Sequence, residues 1–235
     1  MKSPIDSPFE AAETAAAMLR DRLGDDLNVA VVLGSGWAAA ADRIGKVRGE
    51  LPLTDLPGSP GLTVAGHSGL VRAVEVGSKT ILVIGGRNHL YEGHDANVVA
   101  HNVRSAILAG CSTVILTNAC GSLQEDFRPG TPVMIKDQIN LTGTTPMIGA
   151  NPPAHYPGRF CDVTEIYSQR LRDAARLFDQ SLGEGVYCGM FGGAYETPAE
   201  IEMIRTMGGE LVGMSTVLEA IAAKHLEAEI AGVSL

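Results

Sequence analysis

One pattern governs this chain: short apolar runs stop abruptly at glycine and polar residues, and a helical pattern follows. Its clearest instance is TILVI at residues 80–84, which reads as a buried strand. That run leads into Gly85-Gly86-Arg87-Asn88-His89-Leu90-Tyr91-Glu92-Gly93-His94, and a helical pattern starts near Asp95. Ligands bind at the ends of strands in parallel α/β sheets. Arg87 offers a planar fork of donors suited to an oxyanion such as phosphate. His89 lies two residues on and shares the face of Arg87 if the segment is extended. Glu92 is placed to orient one of these bases or to hold a sugar hydroxyl. The alternative is a polar surface loop, but a glycine pair and so many polar residues directly after a core strand favour a site.

The layout recurs along the chain. Ser7, Pro8 and Glu10 predict a helix start with a capping box, carried by alanines to Leu23 and closed by Gly24. NVAVVL at residues 28–33 predicts a buried strand, followed by Gly34-Ser35-Gly36-Trp37 and an alanine-rich helical segment. Strand, Gly-Ser-Gly and helix is the layout of a backbone nest for phosphate, with the Ser35 hydroxyl added. A plain turn is the alternative, and the third glycine of a dinucleotide fingerprint and the lysine of a P-loop are both missing. Residues 51–62 hold three prolines and are expected to be irregular. His67, between glycines in Val64-Ala65-Gly66-His67-Ser68-Gly69, reads either as part of a loop able to close on a ligand or as an exposed loop histidine.

Residues 70–76 and 79–84 predict a hairpin about Gly77-Ser78, and residues 97–108 a helix closed by Gly110. A strand at 113–116 delivers Thr117-Asn118-Ala119-Cys120-Gly121-Ser122 to the same sheet end, where small residues let a flat ligand approach the backbone. A strand at 132–135 precedes residues 142–160, rich in Pro, Gly and Thr and too long for an idle connection; a functional or interface loop is expected there. An amphipathic helix at 168–182 reads as a solvated shell element. A strand at 186–190 feeds Gly192-Gly193-Ala194-Tyr195-Glu196-Thr197, with Pro198 opening a helix. A strand at 210–212 precedes Gly213-Met214-Ser215-Thr216 and another helix, and residues 228–235 read as a last strand. Strands and helices alternate without linker or repeat, which predicts one doubly wound α/β enzyme domain with a composite site at its strand ends.

Composition narrows the function class. A net charge of -9 argues against sequence-independent nucleic-acid binding. It leaves room for a small anion, because local donors outweigh distant charge across screened solvent. Cys111, Cys120, Cys161 and Cys188 have neither paired nor metal-like spacing and read as free thiols in a reducing compartment. No apolar run approaches the ~20 residues of a membrane span. Asp6 and Glu10 and the lack of an apolar signal core argue against export, so a cytoplasmic protein with no metal and no membrane partner is expected.

Six segments in order resemble one known family. They are GSG at 34–36, AGHSG at 65–69, GRNHLYEG at 86–93, TNACG at 117–121, YETPAE at 195–200 and VGMSTV at 212–217. From about residue 30 to 235 the chain resembles the trimeric purine nucleoside phosphorylases. The resemblance implies a single α/β domain with a central mixed sheet, partly closed into a distorted barrel and flanked by helices. It implies phosphate-dependent cleavage of inosine- or guanosine-type nucleosides to a free purine and (deoxy)ribose 1-phosphate. No cofactor beyond inorganic phosphate as co-substrate is implied, and the assembly implied is a homotrimer. Carried over by motif, the phosphate would meet Ser35, His67, Arg87, His89, the amide of Ala119, and Ser215. Tyr91 and Met214 would touch the ribose. Glu196 would bond the purine edge, with Tyr195 and Val212 lining the base and Ala119, Cys120 and Gly121 forming the other wall. His89 and Glu196 would carry the catalytic roles, and Tyr156 would reach a neighbouring subunit's site.

Two departures accompany the resemblance. Cys120 and Ser122 stand where the family often has alanine and glycine, which bears on the base pocket. The family pattern also runs past Leu235 into a base-binding asparagine, a ribose-contacting histidine and a last helix. A protein ending at Leu235 is therefore expected to bind phosphate but to turn nucleosides over poorly. The rival readings are a methylthioadenosine phosphorylase on the same fold, a non-catalytic nucleoside- or phosphate-binding homologue, and a dinucleotide-dependent oxidoreductase. Glu196 and the Met214-Ser215 pair favour a 6-oxopurine enzyme over the first, and the failed glycine fingerprint disfavours the last.

Overall fold

The computed structural model describes residues 7–64, 68–149 and 151–235. The chain opens with α1 (Pro8–Leu23). Pro8 suits its first turn and Gly24, at φ 102, stops it. The expected capping box is not made, because the Ser7 side chain forms no cap bond. The strands are β1 (Leu27–Val32), β2 (Lys46–Pro52), β3 (Leu70–Val76), β4 (Lys79–Ile84), β5 (Thr113–Asn118), β6 (Gly121–Ser122), β7 (Val133–Asn140), β8 (Gly183–Gly189), β9 (Leu211–Gly213) and β10 (Glu229–Ser234). The remaining α-helices are α2 (Ala96–Leu108), α3 (Gln169–Phe178), α4 (Pro198–Thr206) and α5 (Val217–His225).

The ten strands of the described residues join one mixed sheet in the order β2-β3-β4-β1-β5-β10-β7-β8-β9-β6. β4, β1, β5 and β10 are mutually parallel, and the predicted β3–β4 hairpin is present. The apolar run of β1 is continuous because both faces of the strand are covered. Ala30 and Val32 pack against the cluster that holds Leu19 of α1, Val103 of α2 and Ala220 of α5. Val31 faces the opposite way, with Ala41, Val74 and Val83. A smaller cluster of Cys188, Ile204 and Val212 seats α4 on β8 and β9.

The sheet is not closed, which corrects the expected partial barrel. β2 and β6 are its two edges, and β6 pairs with β9 alone. β6 nevertheless begins at Gly121, three residues after β5 ends at Asn118, a distance the chain spans in about 11 Å at most. The sheet therefore curls until its far edge returns to the end of β5, without a ladder joining them. Through the Gly121–Val212 pair, this curl brings the end of β9 to the end of β5, and the site depends on it.

Two further expectations change. β2 was not expected, and only its last two residues fall in the stretch 51–62 read as irregular; as a mostly exposed edge strand it shows no apolar run, and its Pro52 falls at the edge where proline is tolerated. After Gly36 the alanine-rich segment forms a 3-10 turn, Ala38–Arg43, rather than an α-helix. Ala41 is its only buried residue, so nothing calls for a longer amphipathic element.

Candidate active site

Strand ends assemble one cleft of about 450 Å³. It is lined by Ser35 after β1, Arg87, His89 and Tyr91 after β4, and Ala119, Cys120 and Gly121 after β5. Tyr195 and Glu196 after β8, and Val212, Met214 and Ser215 at the end of β9, complete it. Each of these was expected from sequence. Asn118 and Gly213 also line the cleft and carried no sequence-derived role. His67 lies outside the described residues. Tyr156 is not brought to the cleft: its hydroxyl donates to Glu13 Oε1 at 2.8 Å and its ring packs on Phe9 at 5.0 Å. The partner that holds this tyrosine is α1 of its own chain.

Arg87 is buried and its orientation is fixed twice. Nε donates to Glu219 Oε2 at 2.8 Å and Nη1 to the Thr117 carbonyl at 2.6 Å. Nη2 is buried with no partner among the described residues. A buried donor without an acceptor costs desolvation energy unless something fills the role. The arginine thus keeps one edge for an anion rather than its whole fork. Thr117 in turn accepts from Gly34 N at 3.1 Å and donates to Val32 O at 2.8 Å, tying the glycine turn to β5. Gly34 has to be glycine, since a β-carbon there would run into Arg87 Nη1 and the Thr117 carbonyl.

His89 stands in extended backbone, and its ring Nδ1 and its backbone N both meet Glu92 Oε2 at 2.8 Å. Burial raises the Glu92 carboxyl. Bonds from Thr63 Oγ1 and from His89 outweigh that, so its pKa lies below the usual glutamate value. An ionised Glu92 accepts only, which puts the His89 ring proton on Nδ1. Glu92 thus orients the histidine. Tyr91 stacks on the His89 ring at 4.7 Å between centroids and 19° between planes.

The Ser215 end is held by a phenol and an amide. Tyr187 OH accepts from Ser215 N at 3.4 Å, and burial pushes that phenol up to about 12, so it stays neutral. Asn118 Nδ2 donates to Thr216 Oγ1 at 2.9 Å, and Thr216 Oγ1 lies 3.0 Å from Ser215 Oγ. Glu196 is half-buried and Tyr195 stands 90% exposed on the rim. Among the described residues no group of His, Cys, Asp or Glu could hold a metal ion, and no helix is long and apolar enough to cross a membrane. Glu219, which holds Arg87 in place, is a residue that sequence reasoning missed. The available signal was a single carboxylate in the otherwise apolar first turns of VLEAIAAKH, since a buried charge needs a partner.

A cleft at the strand ends of a curled α/β sheet, with a buried arginine keeping an unpartnered donor, defines an anion- and nucleoside-sized site. The chain belongs to the phosphorylase superfamily, whose family model it matches over residues 28–235. It is 48% identical to the purine nucleoside phosphorylase of Mycobacterium tuberculosis, over 100% of this chain and 85% of that protein. It is 44% identical to the purine nucleoside phosphorylase of a Cellulomonas species, over 100% of this chain and 83% of that one. Among solved structures, isoform 2 of the Schistosoma mansoni enzyme, in complex with cytosine and ribose-1-phosphate, superposes with a TM-score of 0.87. Its identity is 30%, and the match covers 97% of this chain and 84% of that one.

Proposed function

We propose that this protein is a purine nucleoside phosphorylase that cleaves inosine- and guanosine-type nucleosides with inorganic phosphate. The observation that carries the reading is Arg87, buried in the cleft with Nη2 unpartnered. Ser35, Ser215 and the Ala119 backbone stand in the same cleft as further donors. The related Schistosoma mansoni structure holds ribose-1-phosphate, which is the product class this reading requires.

In the reaction, a phosphate oxygen bonds to the anomeric carbon as the carbon–nitrogen glycosidic bond breaks. The bonding pair leaves with the purine, which is released once it has gained a proton. Arg87 and its neighbouring donors hold the phosphate in line, an entropic contribution. The dianion stabilises the ribosyl cation as it develops. His89, oriented by Glu92, binds the phosphate or a ribosyl hydroxyl, and Tyr91 and Met214 pack on the ribose. Glu196 accepts from the N–H groups of a 6-oxopurine, between Val212 on one side and Cys120 and Gly121 on the other. No covalent nucleophile takes part.

The assembly proposed is a homotrimer acting in the cytoplasm, with an aromatic of residues 142–160 completing a neighbour's site. The deciding experiment is release of hypoxanthine from inosine by the full-length protein. Release is expected only when phosphate is present, and no release, or release independent of phosphate, overturns the proposal.

A further inference from the structure

Two parts of the cleft wall come from distant stretches of chain: Arg87 after β4, and Ser215 after β9 with Thr216 buried behind it. One atom joins them. Glu219 Oε2 accepts from Arg87 Nε at 2.8 Å and from Thr216 N at 3.1 Å. The ion pair is sealed from solvent, its side chains 3% and 2% exposed. Thr216 is the centre of a γ-turn, with φ 73 and ψ -52, closed by Val217 N donating to Ser215 O at 2.8 Å. The γ-turn of positive φ is the strained form. A β-branched residue keeps such a conformation only where its surroundings over-determine it. Glu219 supplies one constraint on that turn, and Asn118 supplies another through Thr216 Oγ1.

We propose that Glu219 is a positioning residue for phosphate. It fixes the free edge of Arg87 relative to Ser215, and its charge weakens the hold on the anion so that a phosphorylated product can leave. The inference deepens the phosphorolytic reading and rests on it. A buried guanidinium with no counter-charge would grip a dianion strongly, because little solvent screens the pair. The carboxylate beside Nε offsets part of that field. Release of a dianionic product is needed in every turnover, so a moderated site is better suited to catalysis than the tightest one.

A purely structural ion pair predicts that every change at Glu219 loosens the site. The proposal predicts opposite signs for two changes. Glu219→Gln keeps an acceptor oxygen for Arg87 Nε and Thr216 N, in nearly the same shape, and removes the charge. Glu219→Ala removes both anchors. The measurement is the dissociation constant of inorganic phosphate, by titration calorimetry on the full chain without nucleoside. KM for phosphate and for inosine, and Tm, complete it. Phosphate is expected to bind about threefold or more tighter to Glu219→Gln and about tenfold or more weaker to Glu219→Ala. KM for inosine should stay unchanged in Glu219→Gln. Weaker or unchanged phosphate binding in Glu219→Gln overturns the proposal. If Glu219→Ala does not fold, Glu219→Gln against wild type decides the matter alone. A wild-type protein that binds phosphate yet cleaves no nucleoside sinks the phosphorolytic reading instead, and the calorimetric comparison still decides the role of Glu219.

Discussion

Asn118 donates Nδ2 to Thr216 Oγ1 at 2.9 Å, locking the end of β5 to the turn that opens α5. The Asn118 carbonyl also accepts from Trp37 Nε1 at 2.9 Å, which brings in the glycine turn after β1. One residue therefore holds three strand-end segments in register. Asn118→Ala should cost about 1–3 kcal/mol, the scale for leaving a buried group unpaired, and should raise KM for phosphate as the γ-turn relaxes. Asn118→Asp keeps an acceptor for the Thr216 hydroxyl but puts a negative charge in the cleft. Its KM for phosphate should rise more than that of Asn118→Ala, and its Tm should fall at least as far, since a buried carboxylate is costly unless paired. Equal effects of the two on both quantities would show that Asn118 acts only on stability.

Arg87 ties stability to phosphate use. Arg87→Ala leaves Glu219 buried without its partner, and breaking such a pair costs about 3–5 kcal/mol. It also removes the one arginine or lysine among the described cleft-lining residues, so KM for phosphate should rise about 10- to 100-fold. Inosine binding should change little. Arg87→Lys restores the charge but not the geometry, because an ammonium cannot serve Glu219, the Thr117 carbonyl and an anion along fixed directions. It should recover Tm more fully than it recovers phosphate affinity. Unchanged phosphate dependence in both variants would remove Arg87 from the site.

Much of the site was legible because its residues follow strands directly. Arg87 and His89 come straight after an apolar run, and Ser35 sits in a Gly-Ser-Gly turn after another. Local sequence carries that information. Glu219 was not legible as a partner, because the pair it makes spans 132 residues and forms only when the curl of the sheet brings β9 back to β5. The openness of the sheet is a similar case, since whether β6 closes on β5 is a matter of pairing that no periodicity encodes. Tyr156 shows that the partner a loop aromatic takes within its own chain is not legible locally. Glu13 of α1 takes its hydroxyl, and residues this far apart in sequence give no local sign of meeting. The strand β2 was hidden for a simpler reason: an exposed edge strand needs no apolar pattern.

Stability should depend on acidity through His101. Burial holds its imidazole down to about 4, against an unfolded value of 6.5. Between these values the unfolded chain binds a proton that the folded chain does not. Stability contributed by the neutral ring is thus complete above about pH 6.5 and is lost progressively down to about pH 4, where the loss reaches about 3 kcal/mol. His225, also lowered by burial, adds in the same direction. His101→Gln should lower Tm at neutral pH, through lost packing, and flatten the fall of Tm between pH 6.5 and 4. An unchanged pH slope would show that other groups control acid unfolding.

Base choice should follow Glu196. Its carboxylate offers acceptors only, which suits the N–H groups of a 6-oxopurine and opposes the acceptor nitrogen of an adenine edge. A site that discriminates through such bonds does so by large factors. Glu196→Gln, which offers a donor as well, should lower kcat/KM for inosine by about 100-fold and narrow the gap to adenosine. Efficient cleavage of adenosine by the wild-type enzyme would take this role from Glu196.

Residues 142–160 bear on assembly. The loop is braced from several sides: Arg159 Nη1 donates to Met147 O at 2.8 Å, Arg104 Nη2 to Pro146 O at 2.8 Å, and His225 Nε2 meets Pro157 O at 3.1 Å. Despite this bracing, Phe160 is 97% exposed. Ordering a loop costs entropy, and an apolar ring held in water on an ordered loop returns nothing to its own chain. A neighbouring copy would supply the missing contact, so Phe160 rather than Tyr156 is the aromatic expected to reach across. In a homotrimer, Phe160→Ala should raise KM for inosine and weaken association, with little effect on the fold of each subunit. Tyr156→Phe, which loses only the bond to Glu13, should cost about 1 kcal/mol of stability, lower Tm accordingly and leave the kinetics alone. Sedimentation at assay concentrations, read beside activity, separates the outcomes. A fully active monomer, or Phe160→Ala with wild-type KM, would rule out a site completed by the neighbour.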